Sequence, residues 1–371
     1  MSAVKTILIR GFSGRAAAWS VIRAGWLPRV EDECQDQDLP PRQNDPQSTQ
    51  SQEILWLPTG GWENRPEQWQ ELENRFEVLG CSVRSLQVLR DPVRLQQILG
   101  KSGFRTPGLR KNAEQATASH RWLRKPLHST GGLGVKLVDG STLPDSSSHF
   151  DQEFLAGSIY SAQFYSANDH ASLFGVCQGI AGCPEVPEQP FLYAGSLGPI
   201  LPGMTTEITG SVWQTLQQLG NELTRQCGMK GVWGCDFICN PEVTVLEVNP
   251  RYTSAMEVIE LALQHSILNP STDPSQLLPS PSCPLLGKRI VYAPRDLQIP
   301  LEWKWKSPWI QPDDPLSASW VIPEFSDCPH PGTLIQCGDP ICTVWQSGET
   351  IVELSAALEQ KARCLLQQLK P

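Results

Sequence analysis

The chain has little of what marks a membrane, secreted or nucleic-acid-binding protein. No apolar run reaches the roughly 18 residues that a bilayer span needs. Positive charge is scarce: 30 Lys and Arg against 39 Asp and Glu give a net charge of −9. With a pI near 5.3, this argues against general binding to nucleic acid or anionic membranes. The apolar part of residues 1–10 is too short for a signal peptide and reads as a first strand. The 12 cysteines include no Cys-x-x-Cys. Cys235 and Cys239 share a strand face with Trp233 and Phe237, Cys177 and Cys183 flank a Gly-rich turn, and Cys328-Pro-His330 lacks partners for a metal site. Free, mostly buried thiols in a reducing cytoplasm are expected, not zinc or disulfides. No Gly-Lys-Ser/Thr closes a P-loop, no Gly-x-Gly-x-x-Gly supports nicotinamide binding, and no repeat is evident.

What the chain does have is a hydrophobic content of 40 % over 371 residues, enough for two or three domains. Residues 231–239 and 243–251 read as strands rich in Val, Ile, Phe and Trp, joined by a turn at Asn240-Pro241-Glu242. With Pro241 and Glu242 as the loop, Asp236 lies opposite Glu247, their Cβ atoms roughly 5 Å apart. Asn249 shares the face of Glu247, because side chains alternate along a strand. Like charges this close repel unless a cation lies between them, and oxygen ligands suit magnesium. Asp236, Glu247 and Asn249 are therefore candidate metal ligands; the alternative is a solvent-facing pair on an edge strand. Residues 121–135, RWLRKPLHSTGGLGV, set Lys125 at a basic strand end before Ser129, Thr130, Gly131, Gly132 and Gly134. Glycines let backbone N–H groups approach phosphate oxygens and Lys adds a point charge, though a plain hairpin turn has the same composition.

Lys125-Pro126…Gly131-Gly132-Leu133-Gly134-Val135, then Gln152-Glu153-Phe154-Leu155-Ala156-Gly157, then Asp236, then Leu246-Glu247-Val248-Asn249-Pro250-Arg251 resemble the ATP-grasp superfamily in order and spacing. The resemblance runs from roughly Asp91 to His265. Flanking residues 10–17 and 332–343 look like a predicted ATP-dependent carboligase, or carboxylate–amine ligase-like, branch. The resemblance implies ATP and Mg2+, with Mn2+ as a substitute. Lys125 and the amides of Ser129, Thr130, Gly131, Gly132 and Gly134 would hold phosphates. Glu153, Phe154 and Leu155 match the segment that holds adenine, while Glu153 reads equally as structural. Asp236, Glu247 and Asn249 would hold the metal, and Lys125 and Arg251 would be catalytic. Two departures stand out: Ile159 lies where many members have a ribose-binding Glu, and a first phosphate-binding lysine has no clear match, Lys101 being nearest.

Combined with the local patterns, the expected fold is α/β and α+β. A Rossmann-like N-terminal domain would span 1–90, an ATP-grasp domain of two α+β subdomains 91–266, a linker 267–287, and a small β-rich C-terminal α+β domain 288–371. Residues 4–9 read as a strand leading into a helix at 16–24; Ser13, Gly14 and Arg15 form either an anion site or a solvated turn. Residues 31–52, polar and Pro-rich, read as an exposed loop. After a strand at 54–57, Asn64 would cap a helix, and Glu63 reads as a surface carboxylate or a substrate contact. Asp91-Pro92 starts another helix. Residues 193–199 read as a loop, near where the resemblance places the acceptor substrate. Helices are expected at 211–226, at 254–264 with Glu257 and Glu260 solvated or with Glu257 reaching substrate, and at 353–369. Short strands are expected at 288–293, 318–321, 333–336 and 343–345.

The expected activity is that of an ADP-forming ligase. It would activate a small-molecule carboxylate as an acyl phosphate and pass it to an amine, with no nucleic-acid or membrane partner and with a homodimer as the default assembly. Two alternatives come from other classes: a bicarbonate-activating enzyme of biotin-carboxylase or carbamoyl-phosphate type, and a catalytically inactive ATP-binding regulatory protein. A nicotinamide oxidoreductase is suggested only by the first strand and turn.

Overall fold

A computed structural model describes residues 5–41, 54–110, 121–139, 142–268 and 278–369. The expected loop from residue 42 to 52 and the linker residues 269–277 fall outside the described residues.

The chain opens with β1 (Thr6–Gly11), α1 (Arg15–Arg23), β2 (Leu27–Asp32) and β3 (Ile54–Pro58). A 3-10 turn (Trp62–Asn64), α2 (Pro66–Glu73) and β4 (Glu77–Val78) follow. The apolar runs of β1 and β3 are buried on both sides, as a parallel sheet requires, and the strand order is β2-β1-β3-β4. Asn64 is not a helix cap: it ends the 3-10 turn, and α2 starts from Arg65 with no side-chain cap. Pro66 supplies the preset φ of a first helical residue instead. Helices α3 (Val83–Leu89) and α4 (Pro92–Lys101) come next; the Asp91 carboxylate caps α4 by accepting from the N–H groups of Val93 and Arg94.

A four-stranded antiparallel sheet, in the order β5-β8-β6-β7, is built from β5 (Leu109–Arg110), β6 (Trp122–Pro126), β7 (Lys136–Val138) and β8 (His149–Glu153). Arg110 and Arg124 both pair with Asp151 in its interior.

Next along the chain are β9 (Ile159–Ala167), β10 (His170–Ala181), β11 (Tyr193–Gly198), α5 (Gly210–Cys227), β12 (Gly231–Cys239), β13 (Val243–Asn249) and α6 (Ser254–Leu263). The remainder comprises β14 (Leu285–Tyr292), β15 (Leu297–Gln298), α7 (Pro315–Ser319), β16 (Phe325–Ser326), β17 (Leu334–Ile335), β18 (Pro340–Gly348) and α8 (Ile351–Gln368). Eight of these strands form one sheet, β13-β12-β9-β10-β11-β14-β18-β16. The C-terminal strands β14, β16 and β18 thus extend the central sheet. Residues 193–199, expected as a loop, are mostly β11, whose consecutive buried residues 194–198 place it inside that sheet. Residues 318–321, expected as a strand, overlap α7, which Asp314 caps through the Leu316 N–H.

The two faces of the central sheet carry different layers. Helices α5 and α8 pack on one face through Val212, Leu216, Leu219, Leu223, Leu354 and Leu358. Helix α6 lies on the other, between the sheet and α1, in a core shared with Ile7, Ile9, Trp19 and Leu57. A Cβ on Gly175 would come within 2.5 Å of Ile259, which shows how closely α6 approaches the sheet.

Burial on both sides explains the largest departures from the sequence reading. Glu257 and Glu260 are not solvated; both are 0 % exposed. Glu257 accepts from Arg15 at 2.7 and 3.0 Å and from Lys288 at 2.7 Å, and Glu260 accepts from Arg23 at 2.8 Å. Arg15 is neither an anion site nor solvated, since Glu257, Asp327 and Asp38 surround it. The loop after β2 is accordingly not all exposed: Asp36 and Asp38 are buried, and the Asp38 carboxylate accepts from the N–H groups of Asp327 and Cys328. Among the described residues, no helix is long and apolar enough to cross a membrane, and all 12 cysteines are free.

Candidate active site

The hairpin β12–β13 places the carboxylates as expected. Asp236 faces Glu247 across the ladder, and Gly234 faces Asn249. The Asn249 amide nitrogen lies 3.2 Å from Asp236 Oδ2 and 3.4 Å from Glu247 Oε1, so three side chains converge on one point. Glu247 is exposed to solvent, although protein groups crowd its carboxylate. Burial and the neighbouring Glu247 push the Asp236 carboxyl up to about 7. Glu247 resolves the other way: burial opposes its charge, but the Lys125 ammonium and the Asp236 contact hold its carboxyl below the usual range. Lys125, on β6, is itself lowered by burial, against the pull of Glu247 and Asp236.

Lys125 leads into the glycine loop, whose shape depends on its glycines. Gly131, Gly132 and Gly134 have φ of 62°, 75° and 76°, a left-handed region that costs other residues roughly 1–2 kcal/mol. A Cβ on Gly132 would stand 1.9 Å from the Phe191 carbonyl oxygen, so the loop lies directly against residues 190–193. The Tyr193 N–H donates to the Gly131 carbonyl at 2.7 Å, and the Ser129 hydroxyl donates to the Leu133 carbonyl at 2.6 Å. Among the described residues, the N–H groups of Thr130, Gly131, Gly132 and Gly134 meet no protein acceptor.

Arg251, just beyond β13, ties three parts of the chain together. Its guanidinium donates to Glu63 Oε1 at 2.8 Å, to the Thr130 hydroxyl at 3.3 Å and to Asn249 Oδ1 at 3.4 Å. The Thr130 hydroxyl donates to the same Glu63 oxygen at 3.0 Å. Burial disfavours both charges of the Arg251–Glu63 pair, yet mutual attraction wins: the guanidinium is raised and the carboxyl lowered. Glu63 is therefore no surface carboxylate; it is 4 % exposed, and its Oε2 is buried without a partner. A carboxylate three residues after Gly60, at the end of β3, was the available signal, but only the fold shows that Arg251 needs it.

The remaining expected residues divide. Phe154 and Leu155 follow β8, with the Phe154 ring edge-on to Phe191 at 6.3 Å and under the Arg121 guanidinium at 4.6 Å. The Glu153 carboxylate accepts from the Gly108 N–H at 3.0 Å, a structural contact. Ile159 starts β9 opposite Ile238. Lys101 is exposed at the end of α4. A cation that the sequence did not single out, Arg90, reaches the glycine loop instead, donating to the Leu127 and Ser129 carbonyls at 2.9 and 3.0 Å.

The donor set fits a hard divalent cation. Two carboxylates and an amide are all-oxygen ligands once Asn249 turns its Oδ1 inward, and a cation would offset the charge that raises Asp236. Among the described residues, no group of three or more His, Cys, Asp or Glu side chains gathers as a metal site; in this set the third side chain is an amide, which that grouping does not include.

Residues 89–255 match the family model for the ATP-grasp domain. Over 208 residues, 51 % of the chain, the sequence is 24 % identical to the carbamoyl phosphate synthase large chain of Haemophilus ducreyi, and it spans 19 % of that protein's length. The fold is similar to the biotin carboxylase domain of Hydrogenobacter thermophilus 2-oxoglutarate carboxylase, solved with ADP, magnesium and bicarbonate (TM-score 0.67, 11 % identity, 96 % of this chain and 90 % of that one). It is also similar to an L-amino acid ligase from Bacillus licheniformis (TM-score 0.62, 11 % identity, 98 % of each chain). A third similar structure is N5-carboxyaminoimidazole synthetase from Staphylococcus aureus (TM-score 0.59, 12 % identity, 97 % of each chain). At these identities the likeness is one of fold.

Proposed function

Since residues 89–255 form an ATP-grasp domain, we propose that the protein is an ATP-dependent, ADP-forming ligase that activates a carboxylate as an acyl phosphate and joins it to an amine. The observation that supports this most is the convergence of Asp236, Glu247 and Asn249 beside Lys125.

Asp236, Glu247 and Asn249 would hold Mg2+, which when bound neutralises phosphate charge during transfer. Lys125 binds phosphate oxygens as a point charge, and the N–H groups of Thr130, Gly131, Gly132 and Gly134 bind the rest. Phe154 and Leu155 line the place for the adenine. Bond making is between a substrate carboxylate oxygen and the γ-phosphorus, with ADP leaving. The amine then attacks the acyl carbon, phosphate leaves, and the amine's proton passes to solvent or phosphate. Arg251 is placed to stabilise the oxyanion of the tetrahedral intermediate. The glycine loop, lying against residues 190–193, excludes water that would hydrolyse the acyl phosphate.

The likeness to bicarbonate-using folds keeps a second reading, in which bicarbonate is the activated acid. ADP release across a panel of carboxylates separates the two. Release that needs an amine supports the ligase, release that needs only bicarbonate supports the second, and release with neither group added would overturn both. Arg251→Ala should leave Mg·ADP affinity within about threefold and cut turnover by on the order of 100-fold. A loss confined to nucleotide affinity would refute the role given to Arg251.

A further inference from the structure

The glycine loop has a support on its far side that neither its composition nor the Lys125 motif explains. Arg90 ends α3, where its N–H donates to the Leu86 carbonyl, and the next residue caps α4. Its backbone is thus fixed between two helices. Three acceptors surround one terminal nitrogen of its guanidinium and share its two N–H bonds: Asn64 Oδ1 at 2.8 Å, the Leu127 carbonyl at 2.9 Å and the Ser129 carbonyl at 3.0 Å.

The consequence follows from peptide geometry. In a trans peptide the carbonyl of one residue and the N–H of the next point in opposite directions within one rigid plane. Holding the Leu127 and Ser129 carbonyls therefore aims the N–H groups of His128 and Thr130 away from Arg90. Neither N–H meets a protein acceptor among the described residues. Asn64 follows Glu63 directly, so the same nitrogen fixes the loop relative to the segment that carries Arg251's counter-ion. The positive charge of Arg90 also helps hold the Glu63 and Glu247 carboxyls down, which sets it beside the site's anions.

We propose that Arg90 is the positioning residue of the glycine loop, holding the Leu127 and Ser129 carbonyls so that the opposite peptide faces present N–H donors to the β- and γ-phosphates of ATP. This rests on the reading of the loop as a phosphate site. Arg90 acts through the backbone and need not touch the nucleotide. It supplies the fixed cation on this side of the loop that Lys101, exposed at the end of α4, does not.

The test is calorimetric titration of the full chain with Mg·ADP, and ligand-observed NMR titration with AMP, which lacks the phosphates concerned. Arg90→Ala should weaken Mg·ADP at least 10-fold while AMP affinity stays within about twofold. Arg90→Lys should recover most of the loss, because three acceptors around one nitrogen match the three N–H bonds of an ammonium. Arg90→Met, which keeps the apolar stem and removes the donors, should reproduce the alanine result if the alanine variant does not fold. Wild-type affinity for Mg·ADP in Arg90→Ala or Arg90→Met overturns the proposal, as does an equal loss for AMP or a lysine variant as weak as alanine. A wild-type protein that binds AMP but gains nothing from the added phosphate of Mg·ADP instead overturns the phosphate reading of the loop, and the role of Arg90 falls with it.

Discussion

Glu247→Gln should make the nucleotide-free protein slightly more stable and at the same time abolish its response to Mg·ADP. The substitution keeps the shape of the side chain and removes one of two facing charges. Oxygens of both carboxylates lie within 3.4 Å of the same Asn249 nitrogen, so the charges are a few ångströms apart. At an effective dielectric near 20, such a pair costs about 3–4 kcal/mol. The contacts that hold the Glu247 carboxyl down are favourable while Asp236 keeps its proton; with both groups ionised, the attraction of Lys125 and the solvent at Glu247 offset most of the repulsion and leave a net cost of about 1 kcal/mol. That cost depends on pH. The Asp236 carboxyl is raised to about 7 from an ordinary 3.8, so the folded state takes up a proton there before the unfolded chain does. The penalty is complete above about pH 7 and fades as pH falls towards 4. Thermal unfolding at pH 8 in EDTA should therefore show Glu247→Gln at or slightly above wild type. Addition of Mg2+ with ADP at about 100 times its Kd should stabilise wild type by about 3 kcal/mol, and the variant by close to nothing. A variant that is less stable than wild type in EDTA would show that Glu247 is held by favourable contacts and not in tension. A variant that keeps the full gain from Mg·ADP would remove the metal from this site.

Two further substitutions test the surroundings. Gly132→Ala would place a Cβ 1.9 Å from the Phe191 carbonyl oxygen at a φ of 75°, forcing the loop off residues 190–193. Mg·ADP affinity should fall by on the order of 10-fold with a global stability loss of only about 1–2 kcal/mol; unchanged affinity by calorimetry would show that the loop's resting place is unrelated to nucleotide binding. Glu257→Ala leaves Arg15 and Lys288 buried without their shared partner, and urea unfolding should report a loss of about 3–5 kcal/mol. The Glu257 carboxyl is held well below its ordinary 4.5, with the Arg15 and Lys288 cations outweighing the effect of burial, so the stability it adds is present above about pH 4.5 and lost as pH falls below. A loss under 1 kcal/mol would mean that this network does not hold α1 against α6.

The pairing of Asp236 with Glu247 was legible in the sequence, but two features of the ladder had to cancel for it to come out right. Taking Pro241 and Glu242 as a two-residue loop predicts Cys239 opposite Thr244. In the structure Cys239 faces Val243, so the turn is Asn240-Pro241-Glu242, one residue longer. A bulge between Asp236 and Phe237 then leaves Leu246 unpaired and restores Asp236 opposite Glu247. Alternation alone could not reveal this, because a bulge shifts register without leaving a mark in composition. The glycine loop was legible for a sounder reason: three of its glycines have a backbone conformation that other residues resist.

The charges were the illegible part, because their meaning lies in partners distant along the chain. Glu257 and Glu260 are one helical turn apart, a spacing that in sequence describes a solvated stripe as readily as a buried one. What decides it is a second layer: α1 brings Arg15 and Arg23, two turns apart, over α6. Glu63 follows the same logic. It precedes the residues 89–255 that match the ATP-grasp domain, yet it supplies the counter-ion of Arg251 inside them and accepts from Thr130 of the loop. The site is therefore assembled from three segments that meet only in the folded chain: the end of β3, the glycine loop and the end of β13. Opening the loop breaks the Thr130 contacts to both Glu63 and Arg251, so loop position and the environment of the Arg251 guanidinium change together. In the proposed reading, the loop that would hold phosphate and the guanidinium that would meet the intermediate are coupled through one hydroxyl, that of Thr130.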